Sequence, residues 1–504
     1  MDAVILALQM VATPTVLLVM LLSGIFGMFV GAVPGLTATM ATALLVPITF
    51  FLPPVPAVAA IVTATAMAIF AGDIPGALLR IPGTPASAAY TDESYAMTRK
   101  GQGETALGIG LVFSCIGGLF GTAVLIVAAP ALAEVAIRFS SFEYFWLVLL
   151  GLSCAVFITS DMPLKGVITL CIGLLLGTVG LENPAGHPRF TFENTNLLSG
   201  LSLIPAMIGM FAISELIRFT LNTDLVGEFK AQIGSVFKGM GALMRKYPVQ
   251  TLRGSVLGTA VGILPGAGAD IAAWMSFAMS KKLSKEPEKF GTGHPEGLVE
   301  AGAANNSALA GAWVPALVFG IPGDSITAIV IGVLYMKNMN PGPMIFMNNP
   351  QNVYAVFIVF ILANLLMLPL GWACIKASAR LLRMPRNVLM PIILVFCLVG
   401  AFAINNALFD LWILLGFGVA AWLLEENGFP VAPAILGMLL GKMLEENFIT
   451  SMIKSDGSWL AFVERPIAAG LAVFTLLLWI VSGWLGWRRR NETLRRMRAV
   501  APPI

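Results

Sequence analysis

The sequence is poor in charge and in histidine, and it carries no common catalytic signature. Charged residues make up 11% of the 504 residues, whereas soluble globular domains contain about a quarter. There are two histidines, and no serine-histidine-aspartate signal, HExxH motif or phosphate-binding loop occurs. These absences exclude an ordinary soluble domain, and we predict neither an enzyme nor a cofactor.

The cysteines also lack any pattern that would indicate chemistry. There is no CxxC spacing, and all five cysteines lie within apolar runs, at Cys115, Cys154, Cys171, Cys374 and Cys397. Isolated cysteines in such surroundings are packing residues. We therefore predict neither a disulfide framework nor a cysteine metal site.

Long apolar runs fill most of the chain, which is 58% hydrophobic. Runs near 20 residues recur from end to end, and a helix of this length crosses a bilayer core of about 30 Å. The short alternating segments of a membrane barrel are absent. The fold class predicted is an all-α polytopic membrane protein with about 12 membrane segments.

Basic residues are unevenly distributed along the chain. No lysine or arginine precedes Arg80, whereas basic clusters lie within 222–253, 281–289 and 376–386 and in the tail from 488. Positive residues in short loops stay on the cytoplasmic side of a membrane. We expect a periplasmic N-terminus, a cytoplasmic linker and C-terminus, and no binding of nucleic acid. No basic region precedes the first apolar run, so we expect it to remain as a membrane segment.

Two pairs of segments repeat in the same order and at similar spacing. VGAVPGLTA at Val30–Ala38 resembles VGILPGAGA at Val261–Ala269, and AGDIPGALLRIPGTP at Ala71–Pro85 resembles GAWVPALVFGIPGDS at Gly311–Ser325. The first half begins outside and the second follows a basic segment, so inverted repeats are predicted. The expected division is a first transport repeat at 1–220, a cytoplasmic linker at 221–250, a second transport repeat at 251–487 and a basic tail at 488–504.

Proline-glycine pairs interrupt the apolar runs at matched positions of the two halves. A single pair is explained by a kink or by close helix packing. Matched pairs instead favour broken helices, whose free N–H groups bind anions and whose free carbonyls bind cations. Around the LPGAG stretch, the flanking helical segments measure about 18 and 21 Å, which predicts a re-entrant hairpin. The pairs are Pro34-Gly35, Pro82-Gly83, Pro265-Gly266 and Pro322-Gly323.

Ionisable residues close to these breaks are candidates for a cation site. Charge inside a membrane is costly and marks function, although Arg80, Glu300 and Asp324 also fit solvated helix ends. Asp270 is the stronger candidate because apolar sequence follows it. Since a compact cation prefers several hard oxygens, we predict a sodium site of backbone carbonyls, Asp270 and an asparagine amide. The predicted cation-binding residues are Pro34, Gly35, Thr37, Pro265, Gly266, Gly268 and Asp270.

Small polar residues beside the two IPG turns are candidates for a carboxylate site. We expect the two turns to meet near the pseudo-two-fold axis and to hold carboxylate groups with amides and hydroxyls. The amides of Asn305 and Asn306 suit sodium or a carboxylate, and interhelical hydrogen bonding is the alternative. The predicted substrate-binding residues are Arg80, Pro82, Gly83, Thr84, Ser87, Asn305, Asn306, Pro322, Gly323 and Ser325.

Five motifs in family order resemble the large membrane subunit of the tripartite tricarboxylate transporters. They are VGAVPGLTATMATALLVPITF, IPGTPASAAYTDESYAMTRKGQGETALGIG, GILPGAG, EGLVEAGAANNSALAG and FGIPGDS. The resemblance covers essentially the whole chain. It implies a secondary transporter of the bacterial inner membrane that takes up tri- or dicarboxylates with Na⁺ or H⁺. It also implies two partners, a small four-helix membrane subunit and a periplasmic solute-binding protein.

Two other functions remain open at this point. A stand-alone sodium-coupled carboxylate symporter would share the inverted architecture, and an integral membrane enzyme acting on lipid would share the composition. The enzyme lacks catalytic residues in this sequence. Neighbouring genes for a small membrane protein and a secreted binding protein would separate the first two functions.

Overall fold

The computed structural model describes residues 2–33, 36–159, 163–181, 187–221, 235–381 and 386–481. These residues are mostly helical and contain no β-strand. The helices are α1 Asp2–Val11, α2 Pro14–Ala32, α3 Ala38–Phe50, α4 Pro54–Ala71, α5 Asp73–Leu79, α6 Pro85–Ala88, α7 Thr91–Arg99, α8 Gly103–Ala136, α9 Ser141–Thr159, α10 Pro163–Gly177, α11 Leu203–Ile208, α12 Ser214–Leu221, α13 Met240–Lys246, α14 Pro248–Ile263, α15 Gly268–Leu283, α16 Pro295–Phe319, α17 Ser325–Met336, α18 Ile345–Asn348, α19 Pro350–Leu381, α20 Arg386–Asn405, α21 Leu408–Glu426, α22 Ala432–Lys454, α23 Ala461–Glu464 and α24 Pro466–Val481.

The helices have the length and the surface of membrane spans. Five described segments are long and apolar enough to cross a bilayer, namely α2, α4–α5, α8, Pro350–Ser378 of α19, and α21. Large apolar side chains such as Leu17, Leu18 and Leu22 on α2 are exposed, as lipid-facing residues are. The protein is an all-α polytopic membrane protein, as predicted. The linker residues 222–234 and the tail from 482 lie outside the described residues, so the predicted repeat boundaries stay a prediction.

The described chain forms two compact units. The first contains residues up to Ile137 together with Ser202–Asn427, and the second contains Arg138–Leu201 together with the described residues from Gly428 onward. In the second unit, the rings of Phe145 and Phe462 lie 5.1 Å apart, and Arg465 pairs with Glu143 at 2.8 Å. The predicted site residues that the structure describes all belong to the first unit.

Glycines bring matched helices into backbone contact within the first unit. A Cβ on Gly31 of α2 would lie 2.3 Å from the carbonyl oxygen of Ala68 on α4. A Cβ on Gly262 of α14 would lie 2.2 Å from the carbonyl oxygen of Ala308 on α16. Such contacts are typical of membrane helices, where close packing replaces the hydrophobic effect as the source of association. The two sequence repeats therefore make the same helix pair twice.

Each repeat also contains a hairpin and a broken helix. The α2–α3 hairpin corresponds to the α14–α15 hairpin, and the break between α5 and α6 corresponds to the break between α16 and α17. The helices before the two breaks are central, because the apolar part of α4–α5 and nearly all of α16 are buried. The predicted hairpin around Pro265 is present as two helices of 16 residues each.

We predict that Gly262→Ala lowers the thermal unfolding temperature of the protein. The added methyl group meets the backbone of α16, and overpacking of this kind costs about 1–3 kcal/mol. Gly416→Ala on α21 is the matched control, since a Cβ there meets nothing within 4 Å. Tryptophan fluorescence during heating measures both variants. An unfolding temperature of Gly262→Ala equal to that of wild type would show that the helices do not need this contact.

Candidate functional site

The first IPG turn begins where α5 ends at a left-handed residue. Arg80 has a φ of 62°, and its N–H donates to the carbonyl oxygen of Gly76 at 3.1 Å. The next N–H, of Ile81, donates to the carbonyl oxygen of Pro75 at 3.4 Å. This pair of bonds satisfies the last carbonyls of the helix. The seven-residue spacing between Pro75 and Pro82 is therefore the length of this helix-ending turn.

The second IPG turn ends α16 in the same way. Gly320 has a φ of 68° and donates to the carbonyl oxygen of Ala316 at 3.2 Å, while Ile321 donates to that of Pro315 at 3.3 Å. A left-handed residue costs little at glycine but about 1–2 kcal/mol at other residues. The two turns thus have the same backbone conformation. The first is the more strained, because its left-handed residue is Arg80 and not glycine.

Capping side chains restart a helix after each turn. In the first turn, Thr84 Oγ1 accepts from the N–H of Ser87 at 3.2 Å, and Ser87 Oγ accepts from the N–H of Thr84 at 3.1 Å. In the second, Asp324 and Thr327 make the equivalent pair at 2.8 and 2.9 Å. These are capping boxes, which satisfy the free N–H groups at a helix start. The cap is neutral in the first turn and carries a carboxylate in the second.

The glycine of each turn sits against two neighbouring helices. A Cβ on Gly83 would lie 2.7 Å from the Cα of Gly72 and 2.9 Å from the carbonyl oxygen of Gly31. A Cβ on Gly323 would lie 2.7 Å from the carbonyl oxygen of Gly262. The Gly83 N–H, which we predicted to face a ligand, donates to the carbonyl oxygen of Gly72 at 3.1 Å in this conformation.

The hairpin tip brings the predicted cation residues to the second turn. Pro265 and Gly266 form the tip, where Gly266 has a φ of 84° and Gly268 a φ of 58°. Gly268 faces Asp324 so closely that a Cβ there would lie 2.7 Å from the Asp324 Cβ. Only glycine allows both this backbone conformation and this approach.

Asp270 connects the hairpin tip to both turns. Its carboxyl group lies against the backbone N–H of Ala86, just after the first turn, and close to Asp324 in the second. The Asp270 side chain is exposed on the surface of the protein chain. Four residues along α15, the indole N–H of Trp274 donates to the carbonyl oxygen of Pro85 at 3.2 Å. The predicted cation residue and the predicted substrate turns therefore share one site.

Other predicted residues lie apart from this site or outside the described part of the chain. Arg80 pairs with Asp92 at 2.8 Å, and both side chains are mostly exposed, at 62% and 72%. Thr37 caps α3 by accepting from the N–H of Met40 at 3.1 Å. Pro34 and Gly35 lie outside the described residues.

The paired asparagines of α16 point to different neighbours. Asn305 donates from Nδ2 to the Tyr90 hydroxyl at 2.8 Å, and that hydroxyl donates to Asp73 Oδ1 at 2.6 Å. Asn306 donates to the carbonyl oxygen of Ala66 at 3.5 Å. Both amides are buried, and the Oδ1 atom of each has no hydrogen-bond partner among the described residues. Nothing in the sequence pointed to Tyr90 as a member of this group.

The charge of the site is negative. Asp270 and Asp324 approach each other, and no lysine or arginine side chain pairs with either of them among the residues that the structure describes. Like charges that lie close together repel each other. The arrangement therefore suits a cation, or an anion that arrives together with cations.

Comparisons with known proteins agree with this architecture. The family model described as the tripartite tricarboxylate transporter TctA family matches residues 17–436. An uncharacterized 52.8 kDa protein in the TAR-I ttuC' 3' region of Agrobacterium vitis is 33% identical over 463 residues, which is 91% of each chain. A second uncharacterized protein, in the TAR-II ttuC' 3' region of the same organism, is 33% identical over 225 residues, covering 45% of this chain and 93% of its own. No solved structure matches the chain. The chain belongs to the tripartite tricarboxylate transporter TctA family.

Proposed function

We propose that this chain is the membrane subunit that carries tri- or dicarboxylates into a bacterial cell together with cations. The observation that supports this is the site where Asp270 lies against the first IPG turn and close to Asp324 of the second, with no basic side chain paired to either acid in the described part of the chain. A carboxylate substrate entering this site is repelled unless cations bind with it. Coupling of uptake to Na⁺ or H⁺ then follows from the charge of the site.

The proposed setting is the inner membrane, with two partners. A periplasmic solute-binding protein delivers the carboxylate, and a small four-helix membrane subunit completes the assembly. The family name supports an assembly of three components. We propose transport without an enzymatic reaction, because the family is a transporter family.

The sodium site that we propose lies at the tip of the α14–α15 hairpin. The turn around Gly266 supplies carbonyl groups, and Asp270 supplies a charged oxygen. Hard cations such as Na⁺ bind to several oxygens of this kind. Asp324, next to Gly268, adds a carboxylate on the opposite side.

We predict that Asp270→Asn raises the sodium concentration needed for half-maximal uptake by roughly tenfold, which corresponds to about 1.4 kcal/mol. The change keeps the shape of the side chain and removes one negative charge next to the cation. Asp410→Asn is the matched control, because Asp410 is a buried acid on α21 bonded to Asn405 at 2.7 Å. Uptake of labelled carboxylate against sodium concentration gives both values. Uptake that does not depend on sodium and depends only on the proton gradient would contradict this sodium site.

We predict that Thr84→Ala and Ser325→Ala each raise the half-saturation constant for the carboxylate by roughly two- to tenfold, the value of one hydrogen bond. Thr84→Ser keeps the hydroxyl and is expected to behave as wild type. Thr13→Ala removes the cap of α2 far from the turns and controls for the loss of a helix cap. Initial uptake rates, corrected for the amount of protein in the membrane, measure the effect. Unchanged kinetics in both variants, with transport abolished by changes at Asn305 or Thr37, would place the carboxylate elsewhere.

The orientation that we propose is tested by cysteine labelling. Lys337 Nζ donates to the carbonyl oxygen of Phe50 at 2.7 Å, so the ends of α3 and α17 lie on one face, which we propose to be periplasmic. In a Cys171→Ser background, Asn340→Cys should react with an impermeant maleimide in intact spheroplasts. Lys285→Cys, beyond α15, should react only after permeabilisation. Labelling of Lys285→Cys in intact spheroplasts would show that the orientation is opposite to the proposed one.

A further inference from the structure

A buried acid in the first repeat has no part in the site described above. Asp73 begins α5, within the central buried segment Pro54–Leu79, and is 5% exposed. Its Oδ1 accepts the hydrogen bond from the Tyr90 hydroxyl at 2.6 Å, whereas Oδ2 has no partner among the described residues. A carboxylate with an unpartnered oxygen is very costly in such a place. The group therefore needs a counter-charge or a proton.

Among the residues that the structure describes, no basic side chain pairs with Asp73. The nearest arginine along the chain, Arg80, pairs with Asp92 at the surface. The side chain of Asp73 contacts Tyr90, which lies between α6 and α7, and Gly110, which lies on α8. Helices α2, α4 and α6 contribute no charged residue of their own.

Two further acids lie near these elements but do not neutralise Asp73. Glu93 on α7 accepts from the backbone N–H groups of Gly293 and His294 at 2.6 and 2.8 Å. Asp270 on α15 is itself an acid, so it cannot neutralise Asp73. Neither acid can therefore supply the counter-charge that Asp73 needs.

The packing around the free oxygen favours a proton over a metal ion. A Cβ on Gly110 would lie only 2.6 Å from Asp73 Oδ2, so helix α8 packs directly against the carboxyl group. A metal cation needs several oxygens around it and the space to hold them. A proton needs one lone pair and almost no volume. Oδ1 already accepts from Tyr90, so Oδ2 is the atom that takes the proton.

Hydrogen bonds connect this acid to the second repeat. Tyr90 has one hydroxyl proton, which it gives to Asp73, and its oxygen accepts from Asn305 Nδ2. A change of charge at Asp73 therefore reaches α16 through one side chain.

We propose that Asp73, Tyr90 and Asn305 form a proton-binding site in which Asp73 Oδ2 takes up and releases one proton during transport. The proton comes from water and returns to water, and the carboxylate and the carboxylic acid are the only two forms involved. This inference rests on the proposed cation-coupled uptake and gives it a second coupling ion beside sodium at Asp270.

Infrared difference spectroscopy of the purified full-length protein in lipid tests the site without any transport. Spectra taken across a pH series should contain the C=O stretching band of a protonated carboxylic acid, which appears as the pH falls. Asp73→Asn should lose this band, and Asp410→Asn, a buried acid with an amide partner, should keep it. Tyr90→Phe, which removes the bond to Oδ1, should shift the band.

Two spectroscopic outcomes would overturn the proposal. One is a pH series in which wild type and Asp73→Asn give the same difference spectrum. The other is a band that disappears in Asp73→Asn but never titrates in wild type, which would make Asp73 a permanently protonated structural residue. If Asp73→Asn fails to fold, Tyr90→Phe is the deciding variant. A carboxylic acid band that does not shift in Tyr90→Phe would show that the band does not come from Asp73, and it would overturn the proposal.

Uptake measurements separate this proposal from the proposed function. In cells with the complete transport system, wild-type uptake should rise as the external pH falls, and Asp73→Asn should lose this rise while keeping its sodium dependence. Uptake in Asp73→Asn that keeps the full pH dependence contradicts the proton site. Absence of carboxylate uptake in wild type itself would refute the proposed function, whereas the infrared band would still report on Asp73.

Discussion

The pairing of backbone groups where central helices break is the constraint on which the rest of the structure depends. A buried N–H or carbonyl without a partner costs several kcal/mol in a membrane, so a break survives only where each group is bonded. Helices α5 and α16 both end on a left-handed residue, and both restart from a capping box. The breaks are therefore satisfied turns, and ligand chemistry falls to side chains placed beside them.

Close glycine packing positions those side chains. A Cβ at Gly83 or Gly323 would lie less than 3 Å from neighbouring backbone atoms, so only glycine allows this packing. Each turn is thereby fixed against two helices of its own repeat. Gly268 does the same for the hairpin tip and Asp324. The acidic groups are thereby held near each other despite their repulsion. Binding of cations relieves that repulsion, which is why charge and transport are linked in the mechanism that we propose.

Much of this was predictable from the sequence because membrane helices obey strong local rules. Long apolar runs require helices, and matched Pro-Gly motifs predicted the breaks and the hairpin around Pro265, which the structure confirms. The contacts between side chains were harder to predict from the sequence. Arg80 was predicted as a substrate ligand from its position beside the IPG turn, and the sequence did not indicate that it pairs with Asp92.

The sequence by itself determined the fold class, the family and the positions of the breaks at Pro82, Pro265 and Pro322, since composition and motif order carry that information locally. Only the tertiary structure decided which polar groups meet. Asp270 reaches Ala86, and Asn305 reaches Asp73 through Tyr90, across separations of about 180 and 230 residues that no local pattern encodes. Those contacts arise because small residues on α8, α14 and α16 let the helices approach, and the approach selects the side chains that face each other.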